Sequence, residues 1–252
     1  VLTAAYGTAV YVLFLLVFWY MIGFVADANF TVSGVHIVGK SIDRGGVGDG
    51  TLTVAAVVID VALLALFAVQ HSVMARATFK RRWIRIVPPS AERSTYVLAT
   101  NICLMVLIGA WHPVTDNVWR VNTQPWRALL TAAGLAGWAT VLLSTFLIDH
   151  FDLFGLRQVF ARLRGQQPLP HEFAAPLLYR AVRHPIYLGF LVAFWFTPRM
   201  TVGHLLFAVA TTGYVLLAIR LEERDLIGAF GQQYRDYRRR VPMLIPGLGG
   251  HS

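Results

Sequence analysis

Five stretches of this chain are apolar over the length that a helix needs to cross a bilayer, and this limits the fold more than any other feature. A crossing helix takes about 20 mostly apolar residues. Ala4–Ala26, Leu52–Val73, Thr95–Trp111, Trp126–Ile148 and Val202–Leu221 each supply such a run. A sixth, Ile186–Pro198, is too short for an easy crossing, and Arg199 and the next apolar run follow at once. Ile186–Leu221 therefore reads as a helical hairpin. The expected fold is all-α, a polytopic transmembrane bundle of five full spans, or six counting the short hairpin arm. Composition agrees, since 14% of residues are charged against about 25% in an ordinary soluble domain. The first run is too long and aromatic for a signal peptide and lacks a basic leader and a cleavage site. Residues 1–252 are expected to form a single membrane domain.

The formal charge of +9 has to be read by position. Most of the 22 Lys and Arg residues fall in 74–94, 152–183 and the tail from 219, which are alternate connections. Positive loops stay in the cytoplasm, so both termini are expected there, in the inner membrane of a bacterium. Topology and anionic headgroups of the membrane lipids account for the charge, which argues against nucleic acid as a partner. No obligatory protein partner is implied. After Leu221, residues Leu226, Ile227, Phe230, Tyr234 and Tyr237 recur at helical spacing opposite a charged face. They predict a cytoplasmic amphipathic C-terminal helix. Cys103 is the sole cysteine, which excludes an internal disulfide or a Cys-based zinc site. Gly34–Ser41 matches the phosphate-loop pattern letter for letter. That mechanism needs a strand before the loop and a helix after it, whereas this match lies between two membrane segments on the predicted outer side. An outer loop or short hairpin is the better reading.

The most unusual polar stretch runs from Tyr179 to Gly189, where a basic loop enters the membrane. Pro185 disfavours helix at His184 and removes a backbone donor. Irregular backbone at this depth is tolerated where it is buried in protein or lines a cavity. Gly189 allows close approach of a helix or a ligand. A second feature, Glu222-Glu223, ends the last apolar run and offers carboxylates to hydroxyl or amino groups. Together, Arg183-His184-Pro185-x-Tyr187-x-Gly189, a hairpin, Glu222-Glu223, Phe230-Gly231-x-x-Tyr234-x-x-Tyr237 and Val241-Pro242 resemble the isoprenylcysteine carboxyl methyltransferase and phospholipid methyltransferase superfamily. The resemblance covers roughly residues 166–246. It implies S-adenosylmethionine as cofactor, bound on the cytoplasmic side, with S-adenosylhomocysteine as product. Carried over by motif, His171, Glu172, Phe173, Ala174, Tyr179, Arg183, His184, Pro185, Ile186 and Tyr187 would form much of the pocket, completed by Glu222 and Glu223. Residues 152–252 would then be the cofactor side and 1–151 the substrate side. Gln70-His71-Ser72-Val73-Met74-Ala75-Arg76, Glu92-Arg93-Ser94-Thr95-Tyr96 and Phe146–Gln158 are similar to the bacterial methanethiol S-methyltransferases. That narrower resemblance implies a small thiol substrate, methanethiol, converted to dimethyl sulfide. The alternatives are the same chemistry on a lipid amine or a prenylcysteine carboxylate, and a non-catalytic membrane protein that keeps the fold. Where the prenylcysteine enzymes carry a substrate-holding arginine, this chain has Ala218, with Arg220 nearby.

Methyl transfer from a sulfonium is mainly a positioning task, but a thiol must also lose its proton, which a nearby base assists. Asp149 and His150 end the fourth run, and His71 ends the second. Asp60 lies inside the second run, where an ionisable group is a functional candidate by default. Eleven residues separate Asp60 from His71, which puts them within roughly 20° on one helix face. A hydrogen bond from Asp60 to a neighbouring helix, with Asn101 as partner, is the plainer expectation. The carboxylates around His150 do not converge, so no metal site is predicted.

Overall fold

The computed structural model describes residues 1–28, 31–32, 35–36, 39–46, 53–166 and 173–247. Within them the chain is an all-α membrane bundle with five long apolar helices: α1 Leu2–Val25, α2 Val54–Ala75, α4 Glu92–Ala110, α5 Trp126–Ile148 and α10 Val202–Phe230. Short helices punctuate it: α3 Ala77–Trp83, α6 His150–Leu153, α7 Leu156–Leu163, α8 Leu178–Ala181, α9 Pro185–Trp195 and α11 Gln232–Arg240. The strands are small. β1 Thr31–Val32 pairs antiparallel with β2 Val35–His36, and β3 Asn117–Arg120 pairs with β4 Arg199–Thr201. The phosphate-loop match thus contains β2, with Gly34, Ile37 and Val38 outside the described residues.

Local chemistry sets the helix boundaries. Thr53 and Thr201 cap α2 and α10 by accepting hydrogen bonds from the backbone N–H of Ala56 and His204. Pro185 occupies the first turn of α9, where its missing N–H costs nothing. The sequence placed a separate amphipathic helix after Leu221. Instead α10 runs unbroken to Phe230, and Gly231, at φ +57°, breaks the chain before α11. A helix of that length rises about 43 Å, more than the roughly 30 Å hydrocarbon core.

The expected hairpin is α9, then β4, then α10. α9 packs along α5 at very close range. A Cβ on Gly137 would lie 2.7 Å from the Gly189 carbonyl oxygen, and a Cβ on Gly189 2.7 Å from the Gly137 carbonyl oxygen. The freedom that Gly189 offered is used by a helix. Small residues at such crossings let dispersion act between backbones where lipid gives no hydrophobic drive. Gly189→Ala is expected to cost about 1–3 kcal/mol of stability through overpacking, read as a lower thermal midpoint in detergent. An unchanged midpoint would mean that the two helices separate without penalty.

The buried core lies toward the end of the bundle opposite the arginine-rich connections. Trp111 is fully buried, edge-on to Phe24 and Phe207, and its indole N–H donates to the Ile42 carbonyl. A polar clasp closes this end. Arg44 pairs with Asp27 at 2.7 Å, and Thr201 donates to the buried Asp43 carboxylate at 2.5 Å. Burial pushes the Asp43 carboxyl up to about 6, against the opposing pull of the Thr201 hydrogen bond. A carboxyl raised on folding takes up a proton in the native state. Its contribution to stability is therefore full below the unfolded value near 4 and is lost as pH rises through about 6. Thermal unfolding in detergent is expected to show that decline between pH 4 and 6. In Asp43→Asn the decline should be absent, and persistence of the same slope would assign it to other groups.

Candidate active site

The arginine-rich end gathers the N-termini of α1, α4 and α9 with the C-termini of α2, α5 and α10. The irregular backbone before α9 finds its partners in the returning C-terminal segment. Arg183 N–H donates to the Pro242 carbonyl at 2.8 Å and His184 N–H to that of Met243 at 3.2 Å. The Arg183 side chain donates to the Arg238 carbonyl at 2.9 Å, to the Val241 carbonyl at 2.5 Å, and to Glu223 at 2.7 Å. His184 Nε2 adds a 3.2 Å hydrogen bond to the same Glu223 oxygen, and Arg238 lies 3.4 Å from the other. Glu223 is thus a buried, multiply paired carboxylate.

Its neighbour is placed differently, because adjacent helical positions point about 100° apart. The Glu222 side chain is 44% exposed. His184 Nδ1 stands 3.9 Å away, and Tyr187 lies close to it on α9. Tyr96 and Tyr214 also lie within range of its charge. One open carboxylate thus lies within charge range of tyrosines on α4, α8, α9, α10 and α11.

Further out, Phe173 packs against Phe230, Tyr234 and Tyr237, with ring centroids 5.1 to 5.9 Å apart. The Tyr237 hydroxyl donates to the Tyr179 carbonyl at 2.6 Å, and the Tyr179 hydroxyl donates to the Ser144 carbonyl at 3.4 Å. Burial raises Tyr179 and Tyr234, and pushes Tyr237 up to about 12, so all three are neutral at physiological pH. The Tyr234 hydroxyl is buried and has no hydrogen-bond partner among the described residues. Pro185 is buried, Ile186 half-buried and Ala174 exposed, while His171 and Glu172 lie outside the described residues.

The four candidate bases do not share a site. His71 accompanies the Glu222 corner. It stacks on Phe67, which in turn packs edge-on to Tyr214, and it hydrogen-bonds Tyr96. Asp60 lies on the same helix about 16 Å away, from the rise of eleven residues. It is buried at the opposite end of the bundle. Its partner is the His112 backbone N–H, at 2.9 Å, and Asn101 keeps an unpaired Nδ2 instead. The residue that reaches Asp60 sits just past the end of α4, where its backbone N–H has left the helical ladder and needs a partner of its own. His150 is enclosed between α1, α5 and α6. Tyr11 hydrogen-bonds its Nε2 at 2.8 Å, Thr145 its Nδ1 at 2.8 Å, and Phe146 stacks on the ring. Burial lowers its pKa. Asp149 caps α6 through the Asp152 N–H and pairs with Arg157.

Tyr96, Tyr214, Tyr234 and Arg238 were not among the residues the sequence singled out for the site. Tyr96 and Tyr234 did lie inside family-like motifs, so only their position in space was missing. Tyr214 carries no signal beyond a polar hydroxyl in an apolar run. A lateral furrow of about 530 Å³ runs between α9, α10 and the C-terminal segment, lined by residues such as Leu191, Trp195, Leu216 and Met243.

No family profile and no solved structure matches the chain. Named relatives do. The chain is 52% identical to a methanethiol S-methyltransferase of Mycobacterium tuberculosis, over all of this chain and 98% of the relative. It is 48% identical to methanethiol S-methyltransferase 2 of Bradyrhizobium diazoefficiens, over 96% of this chain and 89% of the relative. It is 44% identical to the Crocosphaera subtropica enzyme of the same name, over 98% and 92%. Agreement at this level over nearly the full length of both partners, on a bundle that gathers the shared motifs at one end, leaves a single assignment: the chain belongs to the bacterial methanethiol S-methyltransferases.

Proposed function

We propose that this chain methylates methanethiol to dimethyl sulfide with S-adenosylmethionine, at the arginine-rich end of the bundle. The observation that carries the reading is the division of the acidic pair. Glu223 is consumed by Arg183, His184 and Arg238, whereas Glu222 stays open, with several tyrosines within range of its charge. A carboxylate among aromatic faces suits a cationic ligand, through charge and through the ring quadrupoles. The residues present also fit the rest of such a cofactor. Glu222 would take its hydroxyl or amino groups. The unpartnered Tyr234 hydroxyl and the Phe173 ring would meet its polar and planar parts, with Tyr179, His184, Pro185, Ile186 and Tyr187 forming the wall. The cofactor supplies a methyl group made electrophilic by the sulfonium. The protein's task is to hold both reactants in line and exclude water.

The arginine-rich end faces the cytoplasm in this reading, with both termini there and the protein in the bacterial inner membrane. α9 and the extended residues after it run from one end of the bundle to the other, which makes six crossing segments. Leu226–Phe230 and α11 form the cytoplasmic amphipathic cover. Residues 152–252 carry the cofactor side and 1–151 the substrate side, and lipid chains meet the apolar furrow.

The test is headspace detection of dimethyl sulfide from purified protein in detergent, given methanethiol and S-adenosylmethionine. Product at enzymatic turnover is expected. Methylation of a lipid amine or a prenylcysteine, without dimethyl sulfide, would move the reading to another acceptor.

A further inference from the structure

One arginine ties the end of α2 to the turn of α10 that carries Glu222. Arg76 closes α2 and opens α3, with extended backbone between the two helices. Its side chain turns back along α2. Nε donates to the Ser72 carbonyl at 3.3 Å, one of the last carbonyls of that helix. Nη1 donates to the Leu221 carbonyl at 3.4 Å and to the Asp225 carboxylate at 2.9 Å. On α10, Glu222 sits between these two acceptors.

The seam between the helices continues away from this end. Ser72 Oγ donates to the Tyr214 hydroxyl at 3.3 Å, and Phe67 packs edge-on to the Tyr214 ring with centroids 6.0 Å apart. Phe67, Ser72 and Arg76 therefore meet Tyr214, Leu221 and Asp225 in order, so α2 and α10 run parallel. At about 100° per residue, Tyr214, Leu221 and Asp225 fall within about 40° of one another on α10, and Glu222 stands about 60–100° round from them. Glu222 thus flanks the edge of α10 that meets α2. Tyr214 fixes α10 at one point, about two turns before Glu222. One point leaves a helix free to pivot, and the Arg76 contacts supply the second. The Arg76 side chain is 29% exposed and that of Asp225 54%, so the pair contributes little to stability.

We propose that Arg76 is a positioning residue for methyl transfer. It holds the Glu222 turn at a set height and rotation against the end of α2. The cofactor on the α10 side is thereby aligned with the thiol on the α2 side. In-line transfer depends steeply on such placement, and an offset of about 1 Å costs about 100-fold in rate. Arg76 touches neither reactant and acts through α10. Lysine replaces it only in part, because one ammonium does not span the Ser72, Leu221 and Asp225 acceptors. The inference rests on the cofactor site proposed at Glu222.

The experiment uses purified wild type, Arg76→Gln, Arg76→Lys, Asp225→Asn and the double variant Arg76→Gln with Asp225→Asn. It measures S-adenosylmethionine affinity by calorimetry, the thermal midpoint, and kcat and KM for methanethiol. Arg76→Gln should bind S-adenosylmethionine and unfold as wild type does, keep its KM for methanethiol, and lose about 100-fold in kcat. Arg76→Lys should recover part of that loss. Asp225→Asn keeps the Ser72 and Leu221 acceptors and should lose less. The double variant should be no slower than Arg76→Gln, since both changes break one clamp. An unchanged kcat in Arg76→Gln would overturn the proposal, as would a kcat that falls only in step with cofactor affinity or thermal midpoint. If Arg76→Gln does not fold, Asp225→Asn decides on the same readings, because its exposed carboxylate contributes little to folding. Wild-type protein that binds no S-adenosylmethionine would instead remove the site on which the inference rests.

Discussion

Glu222→Gln is expected to weaken S-adenosylmethionine binding by about two orders of magnitude while leaving the fold intact. The carboxylate is 44% exposed, with His184 Nδ1 at 3.9 Å and Tyr187 nearby. Both join α10 to the start of α9 only at a partly exposed edge, where a single polar contact contributes little to stability. For a cationic ligand the side chain supplies charge and charge-assisted hydrogen bonds, worth about 1.5–3 kcal/mol each, and about 1.4 kcal/mol is tenfold in affinity. Glutamine keeps the shape and one acceptor but removes the charge. Calorimetric titration with S-adenosylmethionine, beside a thermal unfolding curve of the same preparation, separates the two effects. An unchanged Kd would place the cofactor elsewhere.

Glu223, one residue on, should respond in the opposite way. Arg183→Met leaves the Glu223 carboxylate buried with one strong partner removed, and strips hydrogen bonds from the Arg238 and Val241 carbonyls. Breaking a buried ion pair from one side costs about 3–5 kcal/mol, because the remaining charge stays desolvated. The same change releases the segment whose Pro242 and Met243 carbonyls tie down the backbone before α9. Unfolding in denaturant should show that loss. Arg183→Met combined with Glu223→Leu should recover much of it, since an apolar pair of similar volume needs no compensation. A single variant that loses less than about 1 kcal/mol would mean that the pair is not desolvated as its 9% exposures indicate.

These two carboxylates also mark the limit of what the chain discloses as a string. Glu222-Glu223 is visible as an acidic pair at the end of an apolar run, but which one is consumed depends on where Arg183, His184 and Arg238 arrive. Arg183 and His184 come from the segment before α9, and Arg238 comes from α11. The need of the His184–Pro185 backbone for partners was legible from proline chemistry, while the identity of the partners, Pro242 and Met243, was not. Asp60 and His71 share a helix face by arithmetic, yet the rise along that helix puts them at opposite ends of the bundle, with different neighbours.

By itself the sequence determined the class of fold, the number of long apolar helices and the helix boundary at Pro185. Each of these rests on a property summed over many residues or on a local rule: hydropathy over a span, basic residues between spans, proline and glycine at a boundary. Only the tertiary structure decided that Gly189 serves α5, that α10 runs unbroken to Phe230, and that His71 meets Tyr96. Such contacts join residues tens of positions apart, on helices whose rotation and offset are set by side-chain packing across the whole bundle, which no local pattern encodes.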